Sequence, residues 1–139
     1  MQMIPYLNFA GRCAEAFRFY ESVLGGKLEM MTHGETPMAD QVPPEMRDLV
    51  MHARLITGNA ILMGSDALPG HEVQPRDLHI ALQLDDPAEA ERIFAALAEG
   101  GQVSMPIQKT FWAERFGMLV DRYGTPWIVN GVGAAQAGA

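Results

Sequence analysis

The chain carries a second copy of its own pattern. Ala14-Glu15-Ala16 opens a helix-patterned segment that runs to Gly25-Gly26, and Ala88-Glu89-Ala90 opens another that runs to Gly100-Gly101. A strand-like run precedes each: Tyr6-Leu7-Asn8-Phe9 in the first half, His79-Ile80-Ala81-Leu82 in the second. A smaller echo follows, Gly58-Asn59-Ala60-Ile61-Leu62 against Gly124-Thr125-Pro126-Trp127-Ile128. A supersecondary unit that occurs twice buries its apolar face against neighbours and leaves a pseudo-symmetric seam. That seam is the expected place for a ligand.

Period and punctuation set the elements. Residues 4–9 read as a strand entering the first helix, where Cys13, Phe17, Tyr20 and Leu24 form one stripe at helical spacing. Lys27–Thr32 resumes as strand. His33–Asp48, with Gly34, Pro37, Pro43 and Pro44, is a long loop with one helical turn expected at Pro44–Arg47. Leu49–Thr57 and Ala60–Ser65 are strands joined by Gly58-Asn59, the chemistry of a tight hairpin. Asp86-Pro87-Ala88-Glu89 is a helix start with an acidic cap and proline in the first turn. Its buried stripe is Ala90, Ile93, Phe94, Leu97 and Ala98. Three strands are expected after it, at Gln102–Ala113, Phe116–Asp121 and Thr125–Val132. The fold class is therefore α+β, two βαβββ repeats forming a cupped sheet. The 139 residues make one domain: repeat one 1–66, linker 67–77, repeat two 78–132 and a frayed tail 133–139.

Composition narrows the partners. A net charge of −7 opposes binding to nucleic acid, whose phosphates call for a basic stripe. It equally opposes an anionic membrane surface. The opening residues show no basic region or apolar core of a signal peptide, and no apolar run has membrane-spanning length. Cys13 is the single cysteine, which leaves no intrachain disulfide and fits a reducing cytoplasm. Its position in the apolar stripe points to inert packing, although a helix start can lower a thiol pKa. The ten methionines suit core filling or a polarisable cavity lining.

The residues resemble a known family. Pro5-Tyr6-Leu7-Asn8-Phe9-Ala10-Gly11, Phe19-Tyr20, Val23-Leu24-Gly25 and Met51-His52-Ala53 look like the PhnB-like branch of the vicinal-oxygen-chelate superfamily. So do Met63-Gly64-Ser65-Asp66-Ala67, Thr110-Phe111-Trp112-Ala113 and Asp121-Arg122-Tyr123-Gly124-Thr125-Pro126-Trp127. That superfamily holds glyoxalase I, extradiol dioxygenases and the fosfomycin and bleomycin resistance proteins. The resemblance implies a glyoxalase-like fold of paired βαβββ units, and a homodimer, since such proteins commonly complete cavities between subunits. Unpaired sheet edges point the same way. Members of the branch are also labelled as ubiquinone methyltransferase-like, but this chain lacks the Gly-rich strand–loop–helix fingerprint of many cofactor-binding folds.

The superfamily's metal enzymes take one His, Glu or Gln from the first and last strands of each half. His79 matches one such position. The resemblance puts its counterpart at Ile4 or Pro5, and the last strands offer Ile61, Leu62 or Met63 and Trp127, Ile128 or Val129. An open catalytic site needs three or four converging donors, so no metal and no other cofactor is expected.

The candidate site rests on other groups. Strand alternation puts His79, Ala81 and Gln83 on one face and Leu78, Ile80, Leu82 and Leu84 on the other, toward the helix. Tyr6 and Asn8 take the matching face in the first half. His79 reads either as a ligand contact or as an imidazole satisfied by a neighbour. His52 shares a face with Arg54 and reads as structural or as a subunit contact. Trp112, Glu114 and Arg115 read as a cavity wall with a charged rim, or as a surface ion pair beside core aromatics. Trp127 reads as core, and Glu35, Asp40, Glu45 and Asp48 as solvated loop charges. The leading expectation is a metal-free cavity binding a small hydrophobic or carbonyl-bearing molecule. The alternative is a glyoxalase-like lyase or isomerase in which His79 or Glu114 moves a proton.

Overall fold

The computed structural model of the chain describes residues 1–72 and 77–133. It comprises two units, Met1–Gln74 and Pro75–Ala139. All but Gly133 of the expected frayed tail lies outside the described residues, as does the middle of the expected linker.

In the first unit, β1 (Tyr6–Phe9) leads into α1 (Cys13–Leu24), followed by β2 (Lys27–Thr32), β3 (Val50–Thr57) and β4 (Ala60–Asp66). The strands form one mixed sheet in the order β1-β4-β3-β2. β1 runs parallel to β4, and the other pairs are antiparallel. The stripe on α1 that packs on the sheet is Cys13, Ala16, Phe17, Tyr20 and Val23. Val23 replaces the expected Leu24, because it continues the three-residue step from Tyr20 toward the sheet while Leu24 turns partly to the side.

The segment between β2 and β3 holds three 3₁₀ turns, His33–Glu35, Ala39–Gln41 and Pro44–Met46, where one was expected. Its two ends are tied, since His33 N–H donates to Leu49 O and Gly34 N–H to Arg47 O. Glu35 accepts from both the N–H and the hydroxyl of Thr32, at 3.2 and 2.8 Å. Those bonds hold its carboxyl below the usual carboxylate range. This loop acid therefore caps the first turn of its own segment.

The second unit repeats the order. β5 (Ile80–Leu84) leads into α2 (Pro87–Ala98), then β6 (Gln102–Gln108), β7 (Arg115–Val120) and β8 (Pro126–Gly131), with sheet order β5-β8-β7-β6. Asp86 caps α2 as its sequence suggests, its Oδ1 accepting the Ala88 N–H at 3.0 Å. β6 stops at Gln108 and does not continue to Ala113. Thr110 N–H donates to Ala113 O at 3.0 Å and the Ala113 N–H returns to Thr110 Oγ1 at 3.2 Å, closing a loop that ends the strand.

Each sheet has one face under its helix and one that the helix leaves open. In the first unit Leu55, Leu62 and Phe9 pack beneath Phe17 and Tyr20. In the second, Leu119, Trp127 and Val129 pack beneath Phe94 and Leu97. Neither helix in the described residues is long and apolar enough to cross a membrane.

Candidate functional site

The two buried carboxylates among the described residues belong to the scaffold. Asp66, at the end of β4, accepts from Gly11 N–H at 2.9 Å and Cys13 N–H at 3.0 Å through Oδ1. Its Oδ2 takes Val50 N–H at 2.8 Å. Arg12 precedes the helix and has no acceptor to offer, so Asp66 supplies the cap from across the sheet. Asp121 does comparable work in the second unit. It accepts from Tyr123 N–H, Thr125 N–H and Trp127 Nε1 at 2.8, 3.0 and 2.8 Å. Trp127 is thereby fixed as core, as its sequence context suggests. Cys13 is fully buried beside Asp66, and burial first, then the carboxylate charge, pushes its thiol up to about 12. It is no nucleophile at neutral pH.

Among the described residues no three His, Cys, Asp or Glu side chains gather where they could hold a metal ion. β1 ends at Phe9 opposite Asp66, and β5 ends at Leu84 opposite Gly131. Equal counting back from those ends places Ile4 where the other half has His79. His79 itself precedes β5 and is exposed. The residues of these strands do not fit a catalytic divalent ion.

The open face of the second sheet is built row by row. Gln83 lies opposite Asn130, and Asn130 opposite Phe116. The next row runs Ala81, Ile128, Met118. Trp112, carried by the loop after β6, stacks edge-on against Phe116 at 5.2 Å and against Phe111 at 4.7 Å between ring centroids. Phe111 is 94% exposed and Trp112 41%. Asn130 Oδ1 is buried and has no hydrogen-bond partner among the described residues. Such a group costs about 1–3 kcal/mol if it stays unmet. It sits between an amide, Gln83, and an aromatic wall.

Glu114 and Arg115 part company. Glu114 is exposed at the entry to β7. Arg115 shares its register position with Gly131 and faces the helix side, where Nε donates to Glu91 Oε1 of α2 at 2.6 Å. It therefore does not stand on the open face with Phe116 and Asn130. Leu78, expected over the helix, lies ahead of β5 and is exposed.

In the first unit the open face carries Tyr6 and Asn8 on β1, Met63 and Ser65 on β4, and His52 and Arg54 on β3. Tyr6 lies opposite Met63, and Met63 opposite Arg54. The Tyr6 and His52 rings are 6.1 Å apart. Arg54 Nε, like Asn130 Oδ1, is buried and unpartnered. Neither orphaned group stands out in the sequence as a site residue. The available signal is a polar residue on the helix-free face of an inner strand.

These features define a class, paired βαβββ modules in which each helix covers one face of a mixed four-stranded sheet. The model of the Glyoxalase/Bleomycin resistance protein/Dioxygenase superfamily matches residues 4–129, and the chain belongs to that superfamily. It is 33% identical over 139 residues to Protein YjdN of Escherichia coli (strain K12), covering 94% of this chain and 95% of that one. The crystal structure of protein PA1353 from Pseudomonas aeruginosa is similar at 47% identity and a TM-score of 0.87, over 96% of this chain and 98% of that one. A PhnB protein from Bacillus cereus shares the fold at 22% identity and a TM-score of 0.76, over 94% of this chain and 98% of that one.

Proposed function

We propose that the protein binds a small hydrophobic or carbonyl-bearing molecule on the open faces of its sheets, without a metal. The observation that carries this reading is the buried, unpartnered amide oxygen of Asn130 beside Gln83, Phe116 and Trp112. An amide can present either its oxygen or its NH₂ by a half-turn, so this position serves a hydroxyl or a carbonyl equally. Aromatic walls with a few polar groups are the usual make-up of small-molecule sites. A homodimer is part of the proposal, because each sheet ends in edge strands whose backbone groups another copy can pair with. A cytoplasmic setting is proposed as well, on the single reduced cysteine in the core.

Trp112 gives the test. Trp127 is fully buried while Trp112 is not, so Trp112 is the indole open to added ligands. Titration with a panel of aryl ketones and aryl alcohols is expected to change its fluorescence saturably. Asn130→Leu should weaken that response at least about tenfold. Recovery of the added molecule unchanged supports binding, whereas its conversion would turn the reading toward a lyase or isomerase using His79 or Glu114. Light scattering is expected to give twice the monomer mass.

A further inference from the structure

Arg54 is half-buried on the inner strand β3 of the first sheet, and its Nε is out of reach of solvent with no acceptor among the described residues. Buried guanidinium donors are normally paired. Glu29 stands opposite Arg54 on β2, yet the ion pairs among the described residues form at Arg12, Arg92, Arg115 and Arg122. The chain has 17 acidic residues against 10 basic ones. Carboxylates are thus abundant, and a half-buried arginine left without one runs against the chain's own charge balance.

The surroundings suit a small anion. Tyr6, Met63 and Arg54 lie in one row across the sheet, and His52 flanks them with its ring 6.1 Å from that of Tyr6. Phenol, imidazole and guanidinium are all able to donate hydrogen bonds, and Met63 offers an apolar floor between them. A guanidinium meets carboxylate and phosphate oxygens two at a time, which a lysine does not. We propose that this face of the first unit binds the anionic group of a small organic molecule, a carboxylate or a phosphate, with Arg54 as its fork and Tyr6 and His52 as flanking donors. The proposal rests on reading the open sheet faces as binding surfaces. It concerns the first unit, whereas Trp112 reports on the second.

The experiment uses the full chain with three probes at constant ionic strength: benzoate, inorganic phosphate and uncharged benzyl alcohol. Ring proton shifts of Tyr6 and His52 are followed by NMR. Saturable shifts with benzoate or phosphate are expected, benzoate alone pointing to a carboxylate on an apolar body and phosphate alone to a phosphorylated ligand. Arg54→Met should weaken binding at least about tenfold, Arg54→Lys should recover part of it, and Glu29→Gln should strengthen it by removing the opposing charge. Should Arg54→Met fail to fold, Arg54→Lys and Glu29→Gln still decide the matter.

The proposal would be overturned by an unchanged midpoint in Arg54→Met, by benzyl alcohol binding as well as benzoate, or by no shift with either anion. A dimer that falls apart on Arg54→Met would overturn it too, by assigning the guanidinium to a second copy of the chain. An intact Trp112 response alongside any of these would leave the broader binding reading standing.

Discussion

Asp66 shows how one side chain can hold several elements. It joins the loop before α1, the first residue of α1 and the start of β3 through three backbone N–H groups. Asp66→Ala would strand those donors in the core, and we expect a loss of about 3–5 kcal/mol of unfolding free energy by urea titration. Asp66→Asn keeps one acceptor and should lose less. The role was not legible in the sequence, because the partners at Gly11 and Cys13 lie 55 and 53 residues away. Cys13 was legible, since its place in the apolar stripe already implied an inert thiol. With a folded pKa of about 12 against an ordinary 9.0, the unfolded chain releases its proton first as pH rises. The thiol's contribution to stability is therefore whole below pH 9 and declines between about 9 and 12. Native protein should resist a disulfide reagent at pH 8 and react fully in guanidinium. Rapid native labelling would refute the burial.

At the scale of elements, each helix plants a phenylalanine on a glycine of its sheet. A Cβ at Gly64 would stand 2.7 Å from the Phe17 ring and 2.8 Å from Leu7 O, and one at Gly117 would stand 2.5 Å from the Phe94 ring. Both are closer than packed atoms tolerate. Gly64→Ala and Gly117→Ala are each expected to cost about 1–3 kcal/mol by overpacking. Phe17→Leu should rescue part of the first loss in a double-mutant cycle. Period and turn chemistry made most strands readable: Lys27–Thr32 has the expected bounds, and the other strands shift at their ends. The large error was the end of β6, where apolar residues resume at Phe111-Trp112 after Gln108-Lys109-Thr110 and the Thr110–Ala113 hydrogen bonds close a loop in place of more strand. The same irregularity hid the site. Alternation correctly put Tyr6, Asn8 and Gln83 on helix-free faces. β7 begins at Arg115, however, which sends that side chain toward α2 and leaves Phe116 on the open face. Asn130 and Arg54 were not legible as site residues, because an orphaned polar atom appears only once its neighbours are placed.

For the whole molecule, charge decides behaviour in solution. The −7 net charge at neutral pH opposes indiscriminate aggregation, but that repulsion vanishes near the isoelectric point of about 4.9. At that pH the exposed apolar side chains meet no electrostatic opposition. Phe111, Met38, Leu78, Val103 and Met31 are among these, and Phe111, the one aromatic of the five, is the most exposed of them. A solubility minimum is therefore expected close to pH 4.9, measured as the protein left in the supernatant across a pH series. Added salt should widen the minimum toward neutral pH by screening the repulsion. Phe111→Ser should raise solubility at the minimum without moving its pH, since it removes an apolar contact and no charge. Cys13 and the buried aspartates cannot account for such a minimum, as their environments persist while the fold does. If circular dichroism shows the fold lost before turbidity rises, aggregation follows from unfolding and the charge argument fails. Turbidity from a still-folded protein, reversed on return to pH 7, is the outcome the surface composition requires.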